Sequence, residues 1–334
     1  MTPMRARGLG RVTRHAIRAA CLLGIALAGH AVGQAYPAKP LRMVVPFQAG
    51  AGGDLTARVM AGSLAEALGQ AIIVENRAGA GEAIAAENIA RSAPDGYSIF
   101  YCSSNALVLR PNLAKVVAYD PVRDFTPIFM TGRVFAAIVV NPSMPVNSLK
   151  DLVDYARANP GKLSYGTSGI GTTHHLGAEQ IMQLTGTQMV HVPYKSGIQP
   201  INDLVSGLIP VTFTIMSTLT PFLKTGKVKV IAVDSAGRHR TLPDVQTINE
   251  TLPAFVPAPT WTGIVGPARL PQPIVARLNS ELFKTIARPE MRSRLETNGY
   301  EVSGSTPEAF ADEIKRGLVL VANLVKAAGI QPTE

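Results

Sequence analysis

The chain has 334 residues, 46% of them hydrophobic but only 6% aromatic, with a formal net charge of +9 and two cysteines. That length can bury two separate cores, and no apolar run is long enough to span a bilayer. Arg5, Arg7, Arg11, Arg14 and Arg18 carry most of the positive excess, so without residues 1–35 the net charge falls to +4; lacking a basic cluster interleaved with aromatics, the remainder argues against nucleic acid as a partner.

Those arginines, with no acidic residue among them, precede the short apolar stretch Ala19–Ala28 and small residues at Ala26/Ala28, Ala31/Gly33 and Gly33/Ala35. This is the pattern of a cleaved secretory signal peptide, expected over 1–35 with cleavage between about Ala28 and Ala35, releasing a periplasmic chain that starts near Tyr36. Arg18 disfavours a lipid anchor on Cys21, and no twin arginines mark export of a prefolded, cofactor-loaded protein. Cys102 is then the sole cysteine, which leaves no internal disulfide and no cysteine metal site.

The first predicted strand, Leu41–Val45, runs through Pro46 into a loop with Gly50, Gly52 and Gly53, and a helix opens at about Asp54. Such a strand–loop–helix unit aims free N–H groups at whatever lies at the helix start, which suits a carboxylate. Strands at Ala71–Val74 and Ser98–Tyr101 follow, with helices Leu55–Leu68 and Ala83–Arg91 between them. A second series comprises strand Phe135–Val140, helix Leu149–Ala158 with Ser148 as N-cap, strand Leu163–Tyr165, helix His174–Leu184, strand Met189–Val192, helix Ile198–Val205 and strands Val211–Thr214 and Lys229–Val233. Strand Thr260–Val265 and helices within Pro273–Ile286 and Pro307–Ala328 close the chain. This alternation predicts an α/β fold of mainly parallel sheets flanked by helices, with a ligand crevice at the strand C-terminal ends.

Glycine and small polar residues gather at those ends: Gln48, Ala49, Gly50 and Gly53 after the first strand, Ser103, Ser104 and Asn105 after the third, Thr167, Ser168, Gly169 and Thr172 after Leu163–Tyr165, and Thr214 with Ser217 and Thr218. Together they describe a hydrogen-bonding pocket without a cluster of full charges, although Gly and Ser also suit tight turns. Catalytic patterns are weaker. Ser168 lacks the second glycine of a nucleophile elbow. His174 and His175 point about 100° apart on a helix and cannot share a metal, and His191 reads as a structural hydrogen-bonder. A hydrolase would need a base beside Ser168 in the fold. No cofactor or metal motif is present, and the chain is expected not to be an enzyme.

Six stretches in order, YPAKPLRMVVPFQAGAGGD (Tyr36–Asp54), VENRAGAGE (Val74–Glu82), APDGYSI (Ala93–Ile99), YGTSGIGTTHHL (Tyr165–Leu176), HVPYKSG (His191–Gly197) and WTGIVGPA (Trp261–Ala268), resemble the Bug-type substrate-binding proteins of tripartite tricarboxylate transporters. The resemblance runs from Tyr36 to Ala328 and implies a two-lobe periplasmic binding protein fold with the ligand cleft between lobes. Lobe one would be 36–135 plus 262–334 and lobe two 136–261. It further implies a monomeric, extracytoplasmic receptor that hands a small organic acid to membrane permease subunits, or, as an orphan receptor, signals through a sensor-kinase ectodomain. By the same resemblance Phe47–Asp54 and Thr167–Thr172 are the two binding loops, Ser104 and Asn105 a third wall, and His175 a support at a helix start. Ala51, Gln48 and Thr214 depart from the family pattern, replacing a frequent glycine, proline and aspartate. The loss of a carboxylate at Thr214 suits a plain acid better than an amino acid, and Asp54 is expected to turn back onto its own helix or neighbouring backbone.

Overall fold

The computed structural model describes residues 36–332 except 195 and 240; the expected signal peptide lies outside the described residues. From Lys39 onward the chain builds two sheets. The first contains β1 (Leu41–Val45), β2 (Ile72–Asn76), β3 (Ser98–Ser103), β4 (Phe125–Val134), β10 (Trp261–Pro267) and β11 (Tyr300–Val302), in the order β11-β4-β10-β3-β1-β2. The second contains β5 (Ala136–Val140), β6 (Ser164–Thr167), β7 (Val190–Pro193), β8 (Val211–Ile215) and β9 (Lys229–Asp234), in the order β7-β6-β8-β5-β9.

Why β1 is central can be read from its side chains. Leu41, Met43, Val44 and Val45 are all fully buried, as a strand covered on both faces requires. Arg42 is the exception, and its guanidinium is held by Glu75 at 3.0 Å and Asn88 at 2.9 Å. Helix α1 (Gly52–Leu68) returns the chain to β2, and α2 (Ala83–Ala90) leads towards β3. In the second sheet α3 (Leu149–Ala158), α4 (Thr173–Thr185) and α5 (Gln199–Ser206) make the equivalent connections, with Ser148 capping α3 as its sequence suggests. Three helices, α6 (Gln272–Ala287), α7 (Pro289–Thr297) and α8 (Pro307–Ala327), complete the layer on the first sheet.

The α/β architecture is as expected, but each sheet is mixed rather than mainly parallel. β2, β1 and β3 run parallel, as do β7, β6 and β8, whereas β10 and β4, and likewise β5 and β9, add antiparallel pairings. The added strands are those by which the chain leaves one sheet for the other: it crosses between β4 and β5 over Phe135 and returns between β9 and β10. The crossings are tied together where the Val134 N–H donates to the Thr260 carbonyl at 2.9 Å. β4 was not expected, because Pro127 and Gly132 interrupt its sequence. Pro127 sits beside a register shift in the β10 pairing, where its missing N–H is tolerated. Gly132 lets β11 approach so closely that a Cβ there would stand 2.3 Å from the Glu301 carbonyl oxygen.

The first sheet's core gathers around Trp261, fully buried and edge-on to Phe310 with ring centroids 4.9 Å apart. Leu176 of α4 joins this core, although α4 belongs to the second sheet's layer. α4 also touches α8, where Gln183 donates to the Ala327 carbonyl. One helix therefore links the two lobes.

Candidate functional site

The parallel strands β1, β2 and β3 present their C-terminal ends at one edge of the first sheet, and three segments leave from there: 46–53, 77–82 and 104–113. The first segment leaves Gln48, Ala49 and Gly50 exposed and Phe47 half-buried. Gly50 takes φ +83°, the left-handed region that glycine enters freely. α1 begins at Gly52, three residues before the expected Leu55, and has no side-chain cap, so its first-turn N–H groups face outward unclaimed by side chains. Gly53 lies under the Phe47 ring, where a Cβ would meet Cδ2 and Cε2 at 2.5 Å.

Asp54 turns away from the opening. Its buried carboxylate accepts from the Gly50 N–H at 2.8 Å, Arg58 Nε at 3.0 Å and Asn76 Nδ2 at 2.7 Å. Burial alone would raise its pKa, but the hydrogen bonds from Arg58, Asn76 and Gly50 outweigh it and hold the carboxyl below the usual range. Asp54 thus stays ionised and braces the loop. Its contribution is present above the unfolded pKa and is lost as pH falls through the lower folded value. Asp54→Asn is expected to lower stability by about 1–2 kcal/mol, since Arg58 is half exposed and screened, while ligand affinity changes little; chemical denaturation and calorimetry measure the two effects.

The second candidate loop follows β6. Thr167 is fully buried, and its hydroxyl bonds within the loop to Gly169 and to His191 Nε2 at 2.7 Å. Thr172 caps α4 by accepting from the His175 N–H, and its own proton goes to the Gly169 carbonyl at 2.8 Å. The Thr172 donor is therefore engaged within its own loop. His175 supports the helix start as expected, Nδ1 accepting from the Gly171 N–H at 3.0 Å and Nε2 facing Glu179 at 3.5 Å. Its ring stacks at 4.0 Å on His191, which stacks in turn on Tyr165. Burial in that stack brings the His191 pKa down to about 4, so the imidazole is neutral.

Ser168 does have a base beside it: its Oγ lies 3.1 Å from His174 Nδ1. His174 is buried, its Nε2 has no hydrogen-bond partner, and burial lowers its pKa to about 4. The tautomer that leaves no orphaned N–H carries the proton on Nδ1 and donates it to Ser168. In that arrangement the imidazole cannot take the serine proton, and the Ser168 hydroxyl is free to donate elsewhere. Gly171, at φ +75°, faces the first lobe: a Cβ there would come within 2.7 Å of Leu113 Cδ1. The loop thereby reaches the segment that carries the third wall.

That wall differs from its expected form. Ser104 is buried and donates to the Pro259 carbonyl at 2.7 Å, so it fastens the wall to the chain just before β10. Asn105 remains partly exposed, with Nδ2 donating to the Gly81 carbonyl at 3.2 Å. Two charged residues that sequence patterns did not single out join it. Glu82 places its carboxylate on Ser103 Oγ at 2.8 and 2.9 Å. Arg110 lies against Gly81, whose other neighbour is Asn105 Nδ2; its Nε is buried without a hydrogen-bond partner, and its guanidinium is in no ion pair, among the described residues. An unpaired buried guanidinium nitrogen is costly unless an anion completes it.

Burial pushes the Glu82 pKa up to about 7 against the hydrogen bonds it accepts. The unfolded carboxyl then ionises first, so folding stability falls as pH rises from about 4.5 to about 7. Asp234 and Glu301 are also raised by burial and titrate in the same sense. E82Q is expected to make the stability-versus-pH curve flatter over that window than the wild-type curve, as read from melting temperatures in a pH series.

Thr214 is buried on β8 and its hydroxyl has no hydrogen-bond partner among the described residues. A cavity of about 580 Å3 elsewhere is lined by Arg133, Arg238 and Arg292. Its arginines already pair with Glu313, Glu250 and Glu296, so it is a poorer anion site than the loops, despite its size.

The model of the tripartite tricarboxylate transporter family receptors matches residues 56–328. BugT of Bordetella pertussis is 31% identical over 286 residues, covering 85% of this chain and 86% of BugT. The periplasmic binding protein BugD superposes with TM-score 0.76 at 34% identity, covering 89% of this chain and 99% of BugD. A Rhodopseudomonas palustris protein solved with adipate superposes with TM-score 0.81 at 30% identity, over 89% of this chain and 100% of that one.

Proposed function

The chain belongs to the tripartite tricarboxylate transporter family of receptors, Bug-type solute-binding proteins with the two-lobe periplasmic fold, and on that premise we propose that it captures a small organic carboxylate between its lobes and delivers it to a membrane permease. The observation that carries this reading is Arg110, a guanidinium without a counter-ion among the described residues, set among the loops at the C-terminal ends of β1, β2 and β3. In this account Arg110 anchors the carboxylate, the uncapped first turn of α1 and the glycine backbone of Gly50 and Gly53 approach it from lobe one, and the Ser168 hydroxyl donates from lobe two. Thr167 and Thr172 shape their loop rather than touch the acid. The lobes are 36–135 with 262–334 and 136–261, joined at the two crossings, and a cleaved leader delivers the monomer to the periplasm. The adipate held by the R. palustris relative supports the ligand class.

Nothing in this role needs bond making, and a neutral His174 donating to Ser168 fits hydrogen bonding rather than ester hydrolysis. Absence of turnover on p-nitrophenyl acetate separates the two. A thermal-shift screen of the chain from Tyr36 against a carboxylate panel tests the main reading. Ligand at about 100 times its Kd adds about 2.7 kcal/mol to stability, because it binds only the folded state, and small-angle scattering should show the particle contract as the lobes close. A panel without any stabilising carboxylate would sink the proposal.

A further inference from the structure

Glu82 has an environment usually built for a ligand. Four consecutive residues, Gly79, Ala80, Gly81 and Glu82, hold positive φ of 129°, 47°, 59° and 75°. Two of them are not glycine, a conformation that L side chains enter at a cost and that persists only where surroundings enforce it. The enforcing contact is the carboxylate, whose two oxygens share the Ser103 hydroxyl at 2.8 and 2.9 Å in a cradle that Asn105 closes, its N–H donating to Ser103 Oγ at 3.1 Å and its Nδ2 to the Gly81 carbonyl at 3.2 Å. The cradle is at the C-terminal end of β3, beside Arg110, in the same group of loops as the proposed binding site.

We infer that the Ser103–Ala106 wall is a carboxylate cradle which the chain fills with its own Glu82, making Glu82 a specificity-determining residue that sets the site for acids carrying a single carboxylate. This rests on the carboxylate-receptor reading. With the cradle occupied, a ligand has Arg110 for one carboxylate and loses the Ser103 hydroxyl for a second, which would also meet the Glu82 carboxyl at close range. Ligands with an uncharged far end avoid both penalties. The exposed side chains nearby agree, for Ile84 stands 47% exposed next to Glu82 and Ile170 60% exposed on the facing loop. The favoured class is therefore a monocarboxylate with a largely apolar body.

The test uses the chain from Tyr36 as wild type, E82G and E82Q, with formate, hexanoate and adipate as probes. Glycine empties the cradle and relieves the positive φ, so added formate should raise the melting temperature of E82G, relative to equal chloride, and leave the wild type unmoved. Adding S103A to E82G should reduce the formate effect. By calorimetry the wild type should prefer hexanoate to adipate, and E82G should shift that ratio at least tenfold towards adipate. E82Q keeps the side chain's shape, so it should fold even if E82G does not, and by losing the charge it should shift the ratio in the same direction. An unchanged ratio in E82Q, or an E82G protein indifferent to formate, overturns the inference. A formate response in E82G from a wild type that binds no carboxylate would uphold the cradle while refuting the receptor reading.

Discussion

Gly53→Val should abolish ligand binding and leave the fold intact. The backbone of Gly53 is helical and lies in the first turn of α1, so valine meets no forbidden backbone conformation there. Its side chain, however, would start 2.5 Å from two atoms of the Phe47 ring. Phe47 must then swing out, and with it the loop whose carbonyl accepts from Asn76 Nδ2 at 3.0 Å. The displaced ring and the added methyl groups would also cover the first-turn N–H groups that an anion has to reach. Calorimetry should detect no heat with any acid the wild type binds, while the circular dichroism spectrum is retained. Undiminished binding would move the ligand away from the α1 loop.

Arg110→Met should weaken carboxylate binding by roughly 10- to 150-fold, the range expected on losing charge-assisted hydrogen bonds worth about 1.5–3 kcal/mol. Methionine keeps the apolar stem against Gly81 and removes only the guanidinium. Because Arg110 is in no ion pair among the described residues, no partner charge is stranded by the change, and stability should hold or rise. A variant that binds as well as wild type would leave the anchor to backbone donors alone.

Much of this arrangement was legible in the sequence. Leu41–Val45 and Val211–Thr214 announce buried strands because their apolar runs are bounded by proline or small polar residues, and Ser148 with its amphipathic followers marks α3 to the residue. β4 was hidden by Pro127 and Gly132, whose roles depend on a bulge and on a neighbouring strand that the sequence does not display. The mixed pairing was hidden for a related reason, since strand direction is set by where the chain crosses between sheets.

At the candidate site, glycine and small polar residues mark the turns that follow β1, β3 and β6, but not the direction of each hydroxyl. Ser104 points to Pro259 and Thr172 to Gly169 because tertiary neighbours offer carbonyls there. Glu82 and Arg110 escaped notice because a charged residue near a turn is ordinarily a solvated one. Only the fold reveals that one carboxylate sits with both oxygens on the Ser103 hydroxyl and that one guanidinium has no acid among the described residues. The run Gly79–Glu82 carried the available clue, a glycine-rich turn ending in a bulky acidic residue.

The most direct measurement is a calorimetric titration of the chain from Tyr36 with a panel of mono- and dicarboxylates, run beside a neutral sugar and a polyamine. The account predicts one-to-one binding of an organic acid at micromolar Kd or tighter, about 8 kcal/mol of free energy, with no heat from the sugar or the polyamine. Tight binding of the sugar or the polyamine, with every carboxylate silent, would contradict it.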